Sequence, residues 1–301
     1  PTGNGIGGDL FAIVWSAKEN KLYRLNASGR SPKKLTLEFF KENNFDAIPA
    51  YGPLPVSVPG CVDGWFSLHE KFGTLKMSDI LKPTIDYAEK GFPMTELIGY
   101  YMDLASKRFK DYPNFASTYM NNGRTPKKGE IFKNPYLAST LKVIAQNGRN
   151  GFYKGPIAKS ISDFIKKQGG FLSEDDLESH KSNWVEPVSV NYRGFDVWEL
   201  PPNGQGIAVL QILNLLEPYD IASMGFGTTD HIHHFVEAKK LVFEDRARYY
   251  ADPAFNRIPV QQLISKDYSG RRRKLLDSNN AGKGFKAGDP VLSAGDTIYL
   301  T

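Results

Sequence analysis

Gly295-Asp296-Thr297-Ile298-Tyr299-Leu300-Thr301 closes the sequence, and the reading of this stretch decides what fold the remaining residues must build. A glycine-containing loop here delivers a threonine to the first position of a β-branched and aromatic run, the pattern of a strand start. That placement is what a chain needs if the threonine is to become a new amino terminus after backbone cleavage. A free terminal amine, with a pKa of about 8, can act as general base for the hydroxyl of its own residue, so no histidine is required. Threonine at a strand start is also commonplace, so the stretch gains meaning only from the residues upstream.

Residues 265–295 are rich in Gly, Asn, Ser, Asp and Lys, a composition that predicts an exposed or mobile segment. Before it, Thr229 to Tyr250 reads as a long amphipathic helix capped by Thr228, Thr229 or Asp230 and ended ahead of Asp252-Pro253. Gly206 to Leu216 reads as an apolar helix. Val188, Val190 and Tyr192 alternate with polar residues, Arg193-Gly194 turns the chain, and Phe195, Val197 and Glu199 alternate again, which predicts a hairpin. The middle of the chain is helical: Asn134–Asn147, Ile157–Gln168 stopped by Gly169-Gly170, and a third helix begun by Ser173 with Asp176 three residues on. Asp63 to Ala88 carries apolar residues at helical spacing interrupted by Gly73, hence two helices and a turn. The prolines and glycines of residues 43–60 predict an ordered loop or linker. Leu10–Ser16 and Leu22–Asn26 predict a hairpin near the start, and no repeat of fixed period is present.

Composition narrows the function classes. With 301 residues, 41% hydrophobic and 24% charged, the chain is an ordinary globular one with length enough for a large core. Its longest uninterrupted apolar run, Leu10 to Trp15, is six residues, against about 20 for a spanning helix. The net charge of +5 is modest and, apart from Arg271-Arg272-Arg273-Lys274, scattered, so it does not call for a nucleic-acid partner. Cys61 alone permits neither an internal disulfide nor a multi-cysteine metal site, and the cytoplasm is the milder expectation of compartment, with a removed signal peptide still open.

Several clusters invite chemistry and have plainer readings. Gly3-Asn4-Gly5-Ile6-Gly7-Gly8-Asp9 could cradle a phosphate, but it precedes a strand instead of following one and opening a helix, so a tight turn bringing backbone close to something buried is preferred. His231, His233 and His234 lack the cysteines or HExxH pattern of a metal site and read as a helix N-terminal surface. Glu244, Asp245, Arg246 and Arg248 read as a solvated or ion-paired face, and Arg271–Lys274 as a solvated run. Cys61, between Gly60 and Val62, reads as a small buried residue, not a nucleophile.

Taken together and in order, a set of segments resembles the gamma-glutamyltransferase family of N-terminal nucleophile hydrolases. They are Pro1 through Phe11; Val58-Pro59-Gly60 with Gly64; Gly151-Phe152-Tyr153-Lys154-Gly155; Gly169-Gly170 with Asp175-Asp176-Leu177; Tyr192-Arg193-Gly194 with Pro201-Pro202; Gln211-Ile212-Leu213-Asn214; and Glu237-Ala238 through Asp245-Arg246 to Asp252-Pro253. The resemblance implies an α+β fold, a four-layer αββα sandwich of which this chain is the large-subunit portion. Residues 1–301 would be one part of a single domain, with 1–296 as large subunit and 297–301 as the start of the small one. It implies a precursor cut between Asp296 and Thr297, with Thr297 as nucleophile and, once its amine is free, as its own general base. A helical segment before Pro1 and the bulk of the small subunit, with its oxyanion-hole glycines, would be missing, so the chain alone is expected to be inactive.

One departure bears on specificity. Glutamyl-transferring members hold a substrate carboxylate with an Arg that, aligned over Asn26 to Pro32, falls at Ser28, and the nearest guanidinium here is Arg30. The segment is similar to that of relatives grouped with cephalosporin acylases. The expectation is therefore an autoprocessing amide hydrolase or acyltransferase acting on a gamma-glutamyl or related acyl amide, with Arg30 and Ser28 as substrate-binding candidates. It needs no cofactor or metal, engages its own small subunit but neither nucleic acid nor membrane, and leaves room for a homo-oligomer. The alternative is a degenerate scaffold that keeps the fold, or, on the glycine-rich opening alone, a carbohydrate- or nucleotide-binding module.

Overall fold

Alternation at Leu10–Ser16 produces strand β1, and Lys21–Ala27 forms β2 after a four-residue connection in which Asn20 takes a left-handed conformation, φ 48°. In this computed structural model the described residues are 5–291. The sheet is completed by β5, Asn183–Trp184, in the order β1-β2-β5. The Asp296–Thr297 bond, the strand expected at 297–301 and the Pro1–Asn4 end of the glycine-rich opening lie outside the described residues.

The chain divides into two compact units, Pro1–Phe11 with Leu25–Asn183, and Ala12–Arg24 with Trp184–Thr301. The first unit is mainly helical. Helix α1, Leu37–Glu42, is capped by the Thr36 hydroxyl, and α2, Cys61–Phe72, begins directly after Pro59-Gly60. Then come α3, Met77–Lys90; β3, Phe92–Pro93; α4, Glu96–Phe109; α5, Phe115–Tyr119; and β4, Ile131–Phe132, which pairs antiparallel with β3. They are followed by α6, Pro135–Asn147, capped by Asn134; α7, Asn150–Tyr153; α8, Gly155–Lys167; and α9, Glu174–Ser179. Ser173 and Asp176 form the reciprocal capping box at α9 that their spacing predicts. Val62, Leu81, Ile85, Leu141, Ile144 and Phe152 lead its core, where α3 packs on α6.

In the second unit, β6, Val188–Tyr192, and β7, Phe195–Glu199, pair from Val188↔Glu199 to Tyr192↔Phe195. Arg193 and Gly194 carry φ of 53° and 89°, the positive pair that a two-residue hairpin turn needs. Helix α10, Gly206–Leu216, is apolar apart from the buried, hydrogen-bonded Gln211 and Asn214, because it has two cores to fill. Ile207 and Leu210 face one with Val188 and Leu263, while Ala208, Leu215 and Leu216 face another with Leu241. The short α11, Ile221–Met224, leads to α12, Thr229–Tyr249, capped by Thr228, and then to α13, Val260–Leu263, and α14, Lys266–Arg273.

Three expectations are corrected. Residues 265–295 are not simply an exposed or mobile run: Ser265 caps α14, and Tyr268 and Arg272 are buried. Of the basic run, Lys274 is exposed as expected, but Arg272 and Arg273 are not simply solvated. Arg272 donates to the Leu241 carbonyl at 3.0 Å, and Arg273 donates to the Asn214 and Leu215 carbonyls at 2.6 and 2.9 Å, placing a cation at the negative end of α10. Of the solvated or ion-paired face expected at Glu244, Asp245, Arg246 and Arg248, Asp245 is indeed ion-paired, with Arg272 at 3.4 Å, but it is buried, 1% exposed, while the other three are exposed. Composition misjudged these positions because a charged side chain is indistinguishable in sequence whether its partner is water or a buried counter-charge.

Candidate functional site

The segment that carries Ser28 and Arg30 leaves the end of β2 and is held by backbone packing closer than any side chain would permit. A Cβ at Gly29 would overlap the Val58 carbonyl oxygen, and one at Gly60 would overlap that of Ala27. Glycine is required here for close approach rather than for its dihedrals. Three backbone stretches are thereby laced together: Val58 N–H donates to Arg30 O at 3.0 Å, and Cys61 N–H donates to Gly8 O at 2.9 Å. Gly29 N–H donates to Asp9 Oδ1 at 2.9 Å. Asn26 Oδ1 accepts from Ser28 N–H at 2.9 Å, an Asx turn that sets the bend. The structure thus brings Ser28 and Arg30 together on one fixed loop, with Ser28 half-buried and Arg30 exposed. Beyond it, Lys33 is tied to α9 through Asp176 Oδ1, 3.1 Å, and Ser179 Oγ, 3.1 Å.

Beneath this loop lies a polar network that the sequence reading missed. Asp63, in the first turn of α2, accepts from Arg149 Nε, from Ser182 Oγ and from Ser182 N–H at 2.6 Å. Burial pushes the Asp63 carboxyl up, but the Ser182 and Arg149 bonds outweigh it and hold the group below the usual carboxylate range. The Tyr153 hydroxyl donates to Pro59 O at 2.6 Å and accepts from Asp63 N–H at 3.0 Å, and burial raises its pKa. Arg149 also donates to the His180 carbonyl and lies over the Tyr153 ring, 4.4 Å from its centroid. His180 is 5% exposed and stacks on Tyr153, and among the described residues its Nε2 has no hydrogen-bond partner. Burial lowers the pKa of His180, so the ring is neutral at pH 7.

Cys61 sits 1% exposed at the start of α2, where burial and then the Asp9 charge raise its thiol pKa, the reverse of what a thiolate nucleophile needs. His231 accepts from Gly227 N–H at 3.3 Å, His233 Nε2 donates to the Asp277 carbonyl at 2.8 Å, and His234 Nδ1 donates to Asp230 O at 2.8 Å. Each imidazole serves a different backbone partner. Among the described residues, no group of three or more His, Cys, Asp or Glu side chains is arranged to hold a metal ion. Among the same residues, no helix is long and apolar enough to cross a membrane. Asp9 was visible in the glycine-rich opening, but nothing in one sequence links Asp63 to residues 149 and 182.

This arrangement, a helical unit whose glycine-laced loop follows the first hairpin, is the α+β fold of the large-subunit portion of N-terminal nucleophile hydrolases, as comparison with solved structures shows. The chain superimposes on a crystal structure of Helicobacter pylori gamma-glutamyltranspeptidase with a TM-score of 0.88 at 29% identity, covering 98% of this chain and 87% of that one. On cephalosporin acylase from Bacillus halodurans the TM-score is 0.85 at 38% identity, covering 95% and 54%. The family model described as Gamma-glutamyltranspeptidase matches residues 1–300, and the chain belongs to that family. Among curated relatives, the Glutathione hydrolase-like YwrD proenzyme of Bacillus subtilis (strain 168) is 36% identical over 270 residues, 89% of this chain and 51% of that protein. The Acylase ACY 1 proenzyme of Pseudomonas sp. (strain SE83) is 36% identical over 252 residues, 83% and 45%. The chain spans about half the length of the curated relatives it matches.

Proposed function

We propose that this chain is the large-subunit part, residues 1–296, and the first residues, 297–301, of the small subunit of a proenzyme that cuts itself and then hydrolyses or transfers an acyl group from an amide. The observation that carries the reading is the family match, which runs unbroken to residue 300 and so includes Asp296 and Thr297. In the cut, Thr297 Oγ attacks the Asp296 carbonyl, the peptide C–N bond breaks, and an ester forms as the amine takes up the hydroxyl proton. Water then hydrolyses the ester, leaving the Asp296 carboxylate and a free Thr297 amine. In turnover the amine draws the proton from Oγ, which attacks the substrate amide. The Thr297 ammonium then gives that proton to the substrate's amide nitrogen, whose bond to the acyl carbon breaks so that it leaves as an amine, and the acyl ester on Thr297 passes to water or to a second amine. No cofactor takes part.

The substrate is a gamma-glutamyl or related acyl amide, and the glutathione hydrolase and acylase names of its relatives support both ends of that range. Arg30, exposed on the fixed loop beside Ser28, supplies the charge for a substrate carboxylate. Incubating the full-length precursor and analysing it by mass spectrometry tests the first step. Wild type is expected to split before Thr297 and Thr297→Ala to stay whole; an intact wild type would leave the degenerate-scaffold alternative. Arg30→Ala is expected to raise KM for carboxylate-bearing substrates about 10- to 100-fold, the worth of a charged hydrogen bond, with self-cleavage intact. An unchanged KM removes Arg30 from the site.

A further inference from the structure

Asp9 carries more charge than its structural task requires. It stands between the glycine-rich opening and β1, and its Oδ1 accepts at 2.9 Å from the N–H of Gly29, the residue between Ser28 and Arg30. A neutral oxygen, such as that of Asn or Ser, would accept this bond as well. The side chain is exposed, and among the described residues its Oδ2 has no hydrogen-bond partner and its charge no ion-pair partner. Its setting is nonetheless rigid. Gly8 O accepts from Cys61 N–H at 2.9 Å and Gly8 N–H donates to Gly5 O at 3.1 Å, so the backbone just before Asp9 is tied on both sides. Across the seam, Gly29 lies so close to Val58 that a Cβ on it would overlap the Val58 carbonyl oxygen. The charges of Asp9 and Arg30 both act on the buried His180 ring, the first raising its pKa and the second lowering it, so the two stand near one another.

We propose that Asp9 is a specificity-determining residue that binds an ammonium group of the substrate, so that Asp9 and Arg30 together read an ammonium and a carboxylate carried on one carbon, the head of a gamma-glutamyl group. The role rests on the amide-cleaving reading above and narrows it, from gamma-glutamyl or related acyl amides to those with a zwitterionic head. Asp9 Oδ1 stays with Gly29 N–H, and Oδ2 accepts from the ammonium in a charge-assisted hydrogen bond. Because the carboxylate is already held in place by the loop, little side-chain freedom is lost on binding. A glutaryl group is the same acyl chain without the ammonium. It brings a carboxylate to Arg30 and leaves the Asp9 charge unanswered beside it, so the site disfavours it twice over.

The test uses the full-length protein after self-cleavage and compares two substrates, gamma-glutamyl anilide and glutaryl anilide, by KM and kcat. Wild type is expected to favour the gamma-glutamyl anilide. Asp9→Asn keeps an oxygen for Gly29 N–H and removes the charge. It should raise KM for the gamma-glutamyl anilide about ten-fold more than KM for the glutaryl anilide, the worth of one charged hydrogen bond, while kcat changes alike for both. A residue that merely held the loop would move the two KM values together. A wild type that favours the glutaryl anilide, or a KM ratio that Asp9→Asn leaves unchanged, overturns the proposal while amide cleavage by wild type upholds the parent reading. A wild type that cuts itself but cleaves neither anilide overturns this assignment alone, and one that does neither overturns both. Should Asp9→Asn fail to fold, Asp9→Ser, whose hydroxyl can also accept from Gly29, decides by the same ratio.

Discussion

Asp63 in the first unit and Asp245 in the second are both buried helical carboxylates facing an arginine, and they differ in where that arginine can go. Arg149 keeps a quarter of its side chain exposed and lines a cavity of about 460 Å³ with Lys154 and Ser182, whereas Arg272 is 8% exposed. Asp63 joins a helix start to a distant loop at Ser182, and its cation stands at the protein's edge. Asp245 accepts from Gln211 at 3.1 Å and from Gly288 at 2.9 Å, and pairs with Arg272 at 3.4 Å in an interior with no exit to water. The first pair is a structural support with a polar rim; the second is a sealed junction of α10, α12, α14 and the segment leading towards residue 296. A buried ion pair is costly to dismantle from one side, because the partner left behind retains its charge.

The largest expected effect tests that asymmetry. Asp245→Ala strands the Arg272 guanidinium and should destabilise the protein by about 3–5 kcal/mol in chemical denaturation. Asp63→Ala leaves Arg149 free to turn towards water and orphans mainly the Ser182 donors, so about 2–3 kcal/mol is expected. An Asp63 loss as large as the Asp245 loss would erase the distinction between the two regions.

The smallest effect is one of pH. His180 is surrounded by Asp63, Arg149, Asp9 and Arg30, and burial outweighs the two carboxylates to lower its pKa. The unfolded chain therefore binds a proton that the folded chain refuses. Its contribution to stability is complete above about pH 6.5 and is lost as pH falls below that value towards the folded pKa. Asp63, also lowered, gives way in the same direction but only below about pH 4. The melting temperature of wild type should thus fall between pH 7 and pH 5, and in His180→Phe that part of the slope should vanish. An identical slope in the variant would mean that His180 is charged in the folded protein.

The elements the sequence made legible are those whose signals are local. The β6–β7 hairpin follows from alternation around Arg193-Gly194, α9 from the Ser173/Asp176 box, and the end of α8 from Gly169-Gly170. The stretch from Phe92 to Phe132 went unread. Its strands are two residues each, and they form only because Phe92 pairs with Phe132 across the intervening helices. Of the candidate site, Ser28 and Arg30 came from resemblance, while Asp9, Asp63, Arg149 and His180 could not be assembled from one sequence, since their meeting spans up to 119 residues of chain between Asp63 and Ser182.

By itself the amino-acid order determined the periodic helices, the two hairpins and the ordered set of motifs that marks the family, because each depends on neighbours a few residues apart. Only the tertiary structure decided which charges are partners and which are solvated. Arg272 and Asp245 look like any exposed pair until α10, packed against both α12 and α14, brings them together away from water, and it is that removal of solvent, not residue type, that turns a charge into a structural commitment.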